Sequence, residues 1–179
     1  NILDIVTNGE HTVAAGEGEK AIIVLDKTVF YGEGGGQVGD TGVIKAADFE
    51  FKVTDTKKTA GGVFTHFGTV VKGTAAVDTE VTAVIDNERR EAIRRNHTAA
   101  HLLQAGLRKV LGTHVEQAGQ LVNENAVRFD FTHFSALTAE ELEEVESFVN
   151  GAVLAGISVD NTEMPIDEAR ALGAMALFG

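Results

Sequence analysis

Residues 81–111 read VTAVIDNERREAIRRNHTAAHLLQAGLRKVL, and within this stretch the patterning of the chain changes character. Residues 80–85 carry short apolar alternation, which suits a strand because successive side chains point to opposite faces. Across 88–111 the period is helical instead. Leu103, Leu107, Val110 and Leu111 recur three or four residues apart, and Gly112 supplies a C-terminal stop. The change near Asp86 predicts a boundary between an all-strand module over 1–86 and a helix-containing domain over 87–179.

Upstream of that boundary, apolar runs at 21–25, 43–44, 49–53 and 63–71 are separated by glycine and polar turns. Strands this short and evenly spaced usually avoid open edges by closing up, so a small β-barrel is the expected architecture of the first module. Downstream, 119–122 and 126–131 predict a hairpin across Asn123-Glu124-Asn125, with Val127, Phe129 and Phe131 on one face. Thr138 followed three residues later by Glu141 is a capping box, opening a helix whose inner stripe is Leu142, Val145, Val149 and Ala152 and which Gly156 ends. A short strand over 158–163 and a helical turn over 167–171 follow. The fold class expected is α+β. The apolar ending after Gly173 predicts a chain that continues into something that buries it, which leaves the second domain incomplete at its C-terminus.

The composition is that of a globular protein: 179 residues, 44% hydrophobic and 23% charged, with 20 glycines against one proline. No stretch approaches the roughly 20 apolar residues that span a bilayer, and no basic segment followed by an apolar run opens the chain, so a cytoplasmic protein is the simplest reading. The chain has no cysteine, which excludes disulfides, thiolate nucleophiles and thiolate metal ligands from within it. A net charge of -12 opposes long-range attraction to a polyanion. Arg89, Arg90, Arg94, Arg95, Arg108 and Lys109 are grouped, which allows either a basic face on an acidic body or an ordinary solvated helix surface.

Two motifs carry chemistry. His97 and His101 stand four apart in the helical stretch, a spacing that puts two imidazoles on one helix face, where they can serve one metal ion. Two ligands do not make a site, and partly buried structural histidines are the other reading; His114 and His133 are further candidate ligands without a diagnostic spacing. Residues 30–42, FYGEGGGQVGDTG, place Gly34, Gly35, Gly36 and Gln37 in a loop whose backbone can approach a ligand or adopt positive φ. The loop fits neither the phosphate-loop nor the dinucleotide pattern, and a plain hairpin turn remains open.

Taken together, residues 30–42, NHTAAHLL at 96–103, VLGTHVEQ at 110–117, VRFDF at 127–131 and the ending GAMALFG at 173–179 resemble the editing region of alanyl-tRNA synthetases. The resemblance covers nearly the whole chain. It implies a barrel joined to a two-layer α/β editing domain with a long histidine-bearing helix, and a pocket that hydrolyses seryl or glycyl esters from the 3′ end of tRNA(Ala). His97 and His101 match the family's two helical zinc ligands, while the family's further Cys and His ligands lie in a segment downstream of this chain's last residue. Gln117 matches a position associated with recognising the misattached amino acid. Where the family often carries Thr before the second histidine, this chain has Ala100. The partners implied are mischarged tRNA(Ala) and the remainder of a synthetase chain. Two alternatives stand beside this: a free-standing trans-editing protein, and a non-catalytic tRNA-binding module. A zinc peptidase fits less well, because no glutamate follows His97.

Overall fold

The computed structural model describes residues 1–160 and 162–174. The elements run β1 (Ile2–Thr7), β2 (Glu10–Thr12), β3 (Ala14–Gly16), β4 (Lys20–Leu25), β5 (Gly42–Lys45), β6 (Glu50–Lys58), β7 (Phe64–Lys72), β8 (Thr74–Ala76), β9 (Thr82–Ile85), α1 (Asn87–Leu111), β10 (Gln117–Val122), β11 (Val127–Phe131), α2 (Ala139–Leu154) and α3 (Ile166–Ala171). No helix among the described residues is long and apolar enough to cross a membrane. Contacts divide the chain into one unit of Asn1–His97 with Leu121–Val127 and a second of Thr98–Gln120 with Arg128–Gly179. Patterning changes at Asp86, whereas the contact division falls inside α1. The first turns of α1 carry Arg89, Arg90, Asn96 and His97, which bond to loops of the first unit.

The first unit is built on a seven-stranded antiparallel sheet of order β2-β1-β4-β7-β6-β5-β9, with β3 and β8 forming a separate two-stranded ribbon. The expected barrel is met only in part: the order runs from β2 at one edge to β9 at the other, and the pairings do not join those two strands. Registers such as Ile5 opposite Ile23, and Ile44 opposite Phe51, stack branched and aromatic side chains on one face. Ile5, Ile23, Ile44, Phe51 and Val70 are fully buried there, each stabilising the unit by about 1.5–3 kcal/mol relative to exposure.

A bulge in β6 resets the alternation of that strand. Phe51 and Val53 point inward in the ordinary alternation, but the register against β7 slips between Val53 and Asp55. The next inward residue is therefore Thr56 rather than Asp55. This phase change places the Thr56 hydroxyl against the glycine-rich stretch, where it donates to the Asp40 carbonyl at 2.9 Å.

The second unit packs the later part of α1 against α2 and β11. Leu107, Val115 and Val145 form its buried centre, with Leu103, Val110, Leu111, Phe129, Phe131 and Val149 around them. Gly106 lets the helices approach: a Cβ there would sit 3.1 Å from the Phe148 ring. The capping box at Thr138 and Glu141 forms in both directions. Two expectations are corrected. Leu142 is 55% exposed instead of belonging to the inner stripe, which begins one turn later at Val145. The strand expected over 158–163 is not formed at its described residues, which are exposed and have no partner strand to pair with. Asn161 and the ending Met175–Gly179, including most of the apolar tail read in the sequence, lie outside the described residues.

Candidate functional site

Residues 30–42 form a closed loop held at its base and at its tip. At the base, the Asp40 amide donates to the Tyr31 carbonyl at 2.9 Å, and the Tyr31 amide donates to Asp40 Oδ2 at 2.7 Å. At the tip, the Gly34 amide donates to the Gln37 carbonyl at 3.1 Å, and the Gln37 amide donates back to Gly34 at 3.0 Å. Gly35 and Gly36 between them have φ of 58° and 78°. Positive φ at both central residues defines a type I′ turn, which is the physical reason for consecutive glycines. The tip is further tied to the end of β10, with the Val122 amide donating to Gly36 at 2.7 Å and the Val38 amide to Val122 at 3.1 Å. Gly39 passes so close to β6 that a Cβ would lie 2.1 Å from the Thr56 carbonyl oxygen.

Charge locks the same loop to the start of α1. The Asp40 side chain is 2% exposed and accepts from the Arg90 guanidinium through Nε, at 2.9 Å to both carboxylate oxygens, and through Nη2. Hydrogen bonding to Asp40 holds the Arg90 guanidinium still further above its already high ordinary value. Burial, and secondarily the Asp40 charge, pushes the Tyr31 phenol up. Arg89 donates to the Gly39 carbonyl at 2.8 Å and pairs with Glu124 at 3.2 Å, while Arg94 pairs with Glu91. Arg89 and Arg90 are thus engaged by other elements of the first unit, and the basic face allowed by the grouping is reduced by those two.

His66, on β7, anchors the approach to the loop. Its Nδ1 lies 2.8 Å from the Ile23 carbonyl, which can only accept, so Nδ1 carries the proton and Nε2 accepts from the Thr28 hydroxyl at 2.8 Å. Burial drives the His66 pKa down from its ordinary value, partly offset by the Ile23 contact.

The Gln37 side chain of the glycine loop meets the histidine helix at His97. It is 7% exposed, and its Oε1 lies 2.6 Å from His97 Nδ1. A carboxamide oxygen accepts, so His97 Nδ1 is the donor and Nε2 is the nitrogen that carries the lone pair. Asn96 beside it donates to the Asn123 carbonyl at 2.7 Å, and the Asn123 side chain caps its own turn by accepting from Asn125 and Ala126. The structure therefore brings Gln37 and His97 together, with Gly34, Gly35 and Gly36 shaping the turn that delivers Gln37.

The remaining sequence-selected residues belong to the second unit. His101 is exposed on α1. Gln117 opens β10, and its buried Nε2 has no hydrogen-bond partner among the described residues; the same is true of Gln104 Nε2 on α1. Gln104 escaped the sequence reading, although its position three residues after His101 and seven after His97 puts it on their helical face. His114 and His133 engage each other, Nε2 to Nδ1 at 2.9 Å, with the exposed Phe134 ring stacked on His114. Among the described residues no cluster of three or more His, Asp or Glu side chains could hold a metal ion. The chemistry of His97 fits a zinc ligand, since an imidazole that donates through Nδ1 coordinates through Nε2.

Residues 1–89, which include the nine strands β1 to β9, match the family model described as tRNA synthetases class II (A). The chain is 51% identical over 178 residues to the alanine--tRNA ligase of Acetivibrio thermocellus, covering 99% of this chain and 20% of that protein. The corresponding ligases of Bacillus pumilus and Pseudoalteromonas translucida are 48% identical over 179 residues and 47% over 178. The chain belongs to the alanine--tRNA ligase family, and it spans about a fifth of the length of these relatives.

Proposed function

We propose that this chain is part of the proofreading region of an alanine--tRNA ligase: a β-barrel module and an editing domain that together hydrolyse Ser-tRNA(Ala) or Gly-tRNA(Ala) in the cytoplasm. The observation that carries the reading is the Gln37–His97 hydrogen bond, which links two of the motifs on which the resemblance rests. A second sieve is chemically warranted. Serine and glycine differ from alanine by one hydroxyl or one methyl, and an apolar synthetic pocket rejects such analogues by only about 10–200-fold.

In the reaction a water oxygen bonds to the ester carbonyl carbon, the bond from that carbon to the ribose oxygen breaks, and the ribose oxygen takes a proton. Amino acid and intact tRNA 3′ end result. His97 through Nε2, with His101 one helical turn on, would contribute two ligands to a zinc ion completed by residues from the rest of the synthetase. Such an ion, when bound, supplies positive charge close to the ester. Gln117, with a buried amide donor awaiting an acceptor, is the residue proposed to recognise the misattached amino acid, and the glycine turn is proposed to border the same substrate.

The test is deacylation of Ser-tRNA(Ala) with added zinc by the 179-residue chain, by a version extended beyond Gly179, and by a His97→Ala, His101→Ala variant of the longer form. The chain alone should be poorly active, the extended form active and the variant inactive. Full activity in the variant would overturn the reading. Retained tRNA binding without hydrolysis or metal in the extended form would favour a non-catalytic tRNA-binding module instead.

A further inference from the structure

We propose that Gln37 is a positioning residue, which fixes His97 in the Nδ1–H tautomer and so makes Nε2 the nitrogen that can ligate a metal. The second half of this statement rests on the proofreading reading above; the first half stands on geometry alone.

Gln37 is suited to this by its backbone as well as its side chain. Its amide and carbonyl close the type I′ turn with Gly34, and the neighbouring Gly36 and Val38 are tied to Val122. The backbone is thereby fixed on two sides before the side chain is placed. At 7% exposure the carboxamide cannot exchange His97 for bulk water, and the 2.6 Å separation marks a short hydrogen bond. Its Oε1 is committed to the imidazole. The glycines then have a purpose apart from ligand contact. A turn with positive φ at two successive positions, Gly35 and Gly36, delivers residue 37 to α1. Outer contacts of this kind orient ligating histidines and fix which nitrogen binds the metal.

The tautomer of His97 can be read in the 179-residue chain without any metal, from the two-bond proton–nitrogen couplings of its imidazole, at a pH about two units above the ordinary imidazole value near 6.5. In the native sequence His97 should be the Nδ1–H form. Gln37→Leu should shift the ratio towards Nε2–H by roughly five- to tenfold, the contribution of one hydrogen bond. Gln37→Glu, which still accepts, should retain the native form. A parallel titration with Zn2+ alone should show affinity lowered by about tenfold or more in Gln37→Leu.

An Nε2–H tautomer in the native chain overturns the proposal by itself, even if Gln37→Leu fails to fold. So does a tautomer that Gln37→Leu leaves unchanged. If the tautomer shifts as expected but Zn2+ affinity is unaffected by both Gln37→Leu and His97→Ala, the role of Gln37 in setting the proton stands and the assignment of His97 as a ligand falls.

Discussion

Removing Arg90 tests the lock between the glycine loop and α1. In Arg90→Met the Asp40 carboxylate, 2% exposed, keeps one donor, the Tyr31 amide at 2.7 Å, and loses the charge that balances it. Breaking a buried pair from one side costs about 3–5 kcal/mol. Methionine recovers some of the packing of the arginine stem, so about 3 kcal/mol is expected, a large share of the roughly 5–15 kcal/mol that holds a domain folded. Asp40→Leu should cost less, about 2 kcal/mol, because Arg90 is 24% exposed and its guanidinium can turn to water. The double variant, with neither charge buried, should lie near the Asp40→Leu value and well short of the sum of the two. Urea unfolding followed by tyrosine fluorescence is a direct assay, since the chain has one tyrosine and no tryptophan, and Tyr31 is itself a partner of Asp40. A loss below about 1 kcal/mol in Arg90→Met, or strict additivity in the double variant, would refute the reasoning.

Three further outcomes are expected. His66 has its pKa lowered below 6.5 by burial, so the unfolded chain takes up the proton first and stability, complete above that value, should fall as pH drops below it, with a slope of up to about 1.4 kcal/mol per pH unit; denaturation midpoints across this range should flatten in His66→Gln, and an unchanged slope would show that His66 is not the titrating group. Gly39→Ala, whose Cβ would meet the Thr56 carbonyl at 2.1 Å, should abolish the native loop and lower the thermal midpoint sharply. Gly35→Ala, with open space but φ of 58°, should cost only about 1–2 kcal/mol, and equal effects of the two would contradict the close approach of Gly39. Gln104→Leu, which removes a buried donor without a partner among the described residues, should be neutral or stabilising by about 1 kcal/mol in calorimetric melts; a comparable loss would mean that Gln104 Nε2 is satisfied.

What the sequence determined by itself was whatever is decided locally. The 25-residue helix α1 and its stop at Gly112, the capping box of α2 and the turn at Asn123 each depend on side chains within a few positions of one another, and these were legible. So was membership of the alanine--tRNA ligase family, because its motifs are written in contiguous residues. Strands β1, β2, β3 and β8 were not anticipated. Three of them are only three residues long, and Ala14–Gly16 and Thr74–Ala76 are too small-sided to show a period, being strands only because they pair with each other. The described residues of 158–163 show the converse, since strand-like composition without a partner strand among the described residues makes no strand. The site's decisive contacts are tertiary. Asp40 and Arg90 are 50 positions apart and Gln37 and His97 are 60 apart, and no periodicity relates them. They meet because a one-residue bulge in β6 turns Thr56 under the loop and two glycines turn Gln37 back towards the helix, and such register and handedness are set only when strands pair and α1 docks.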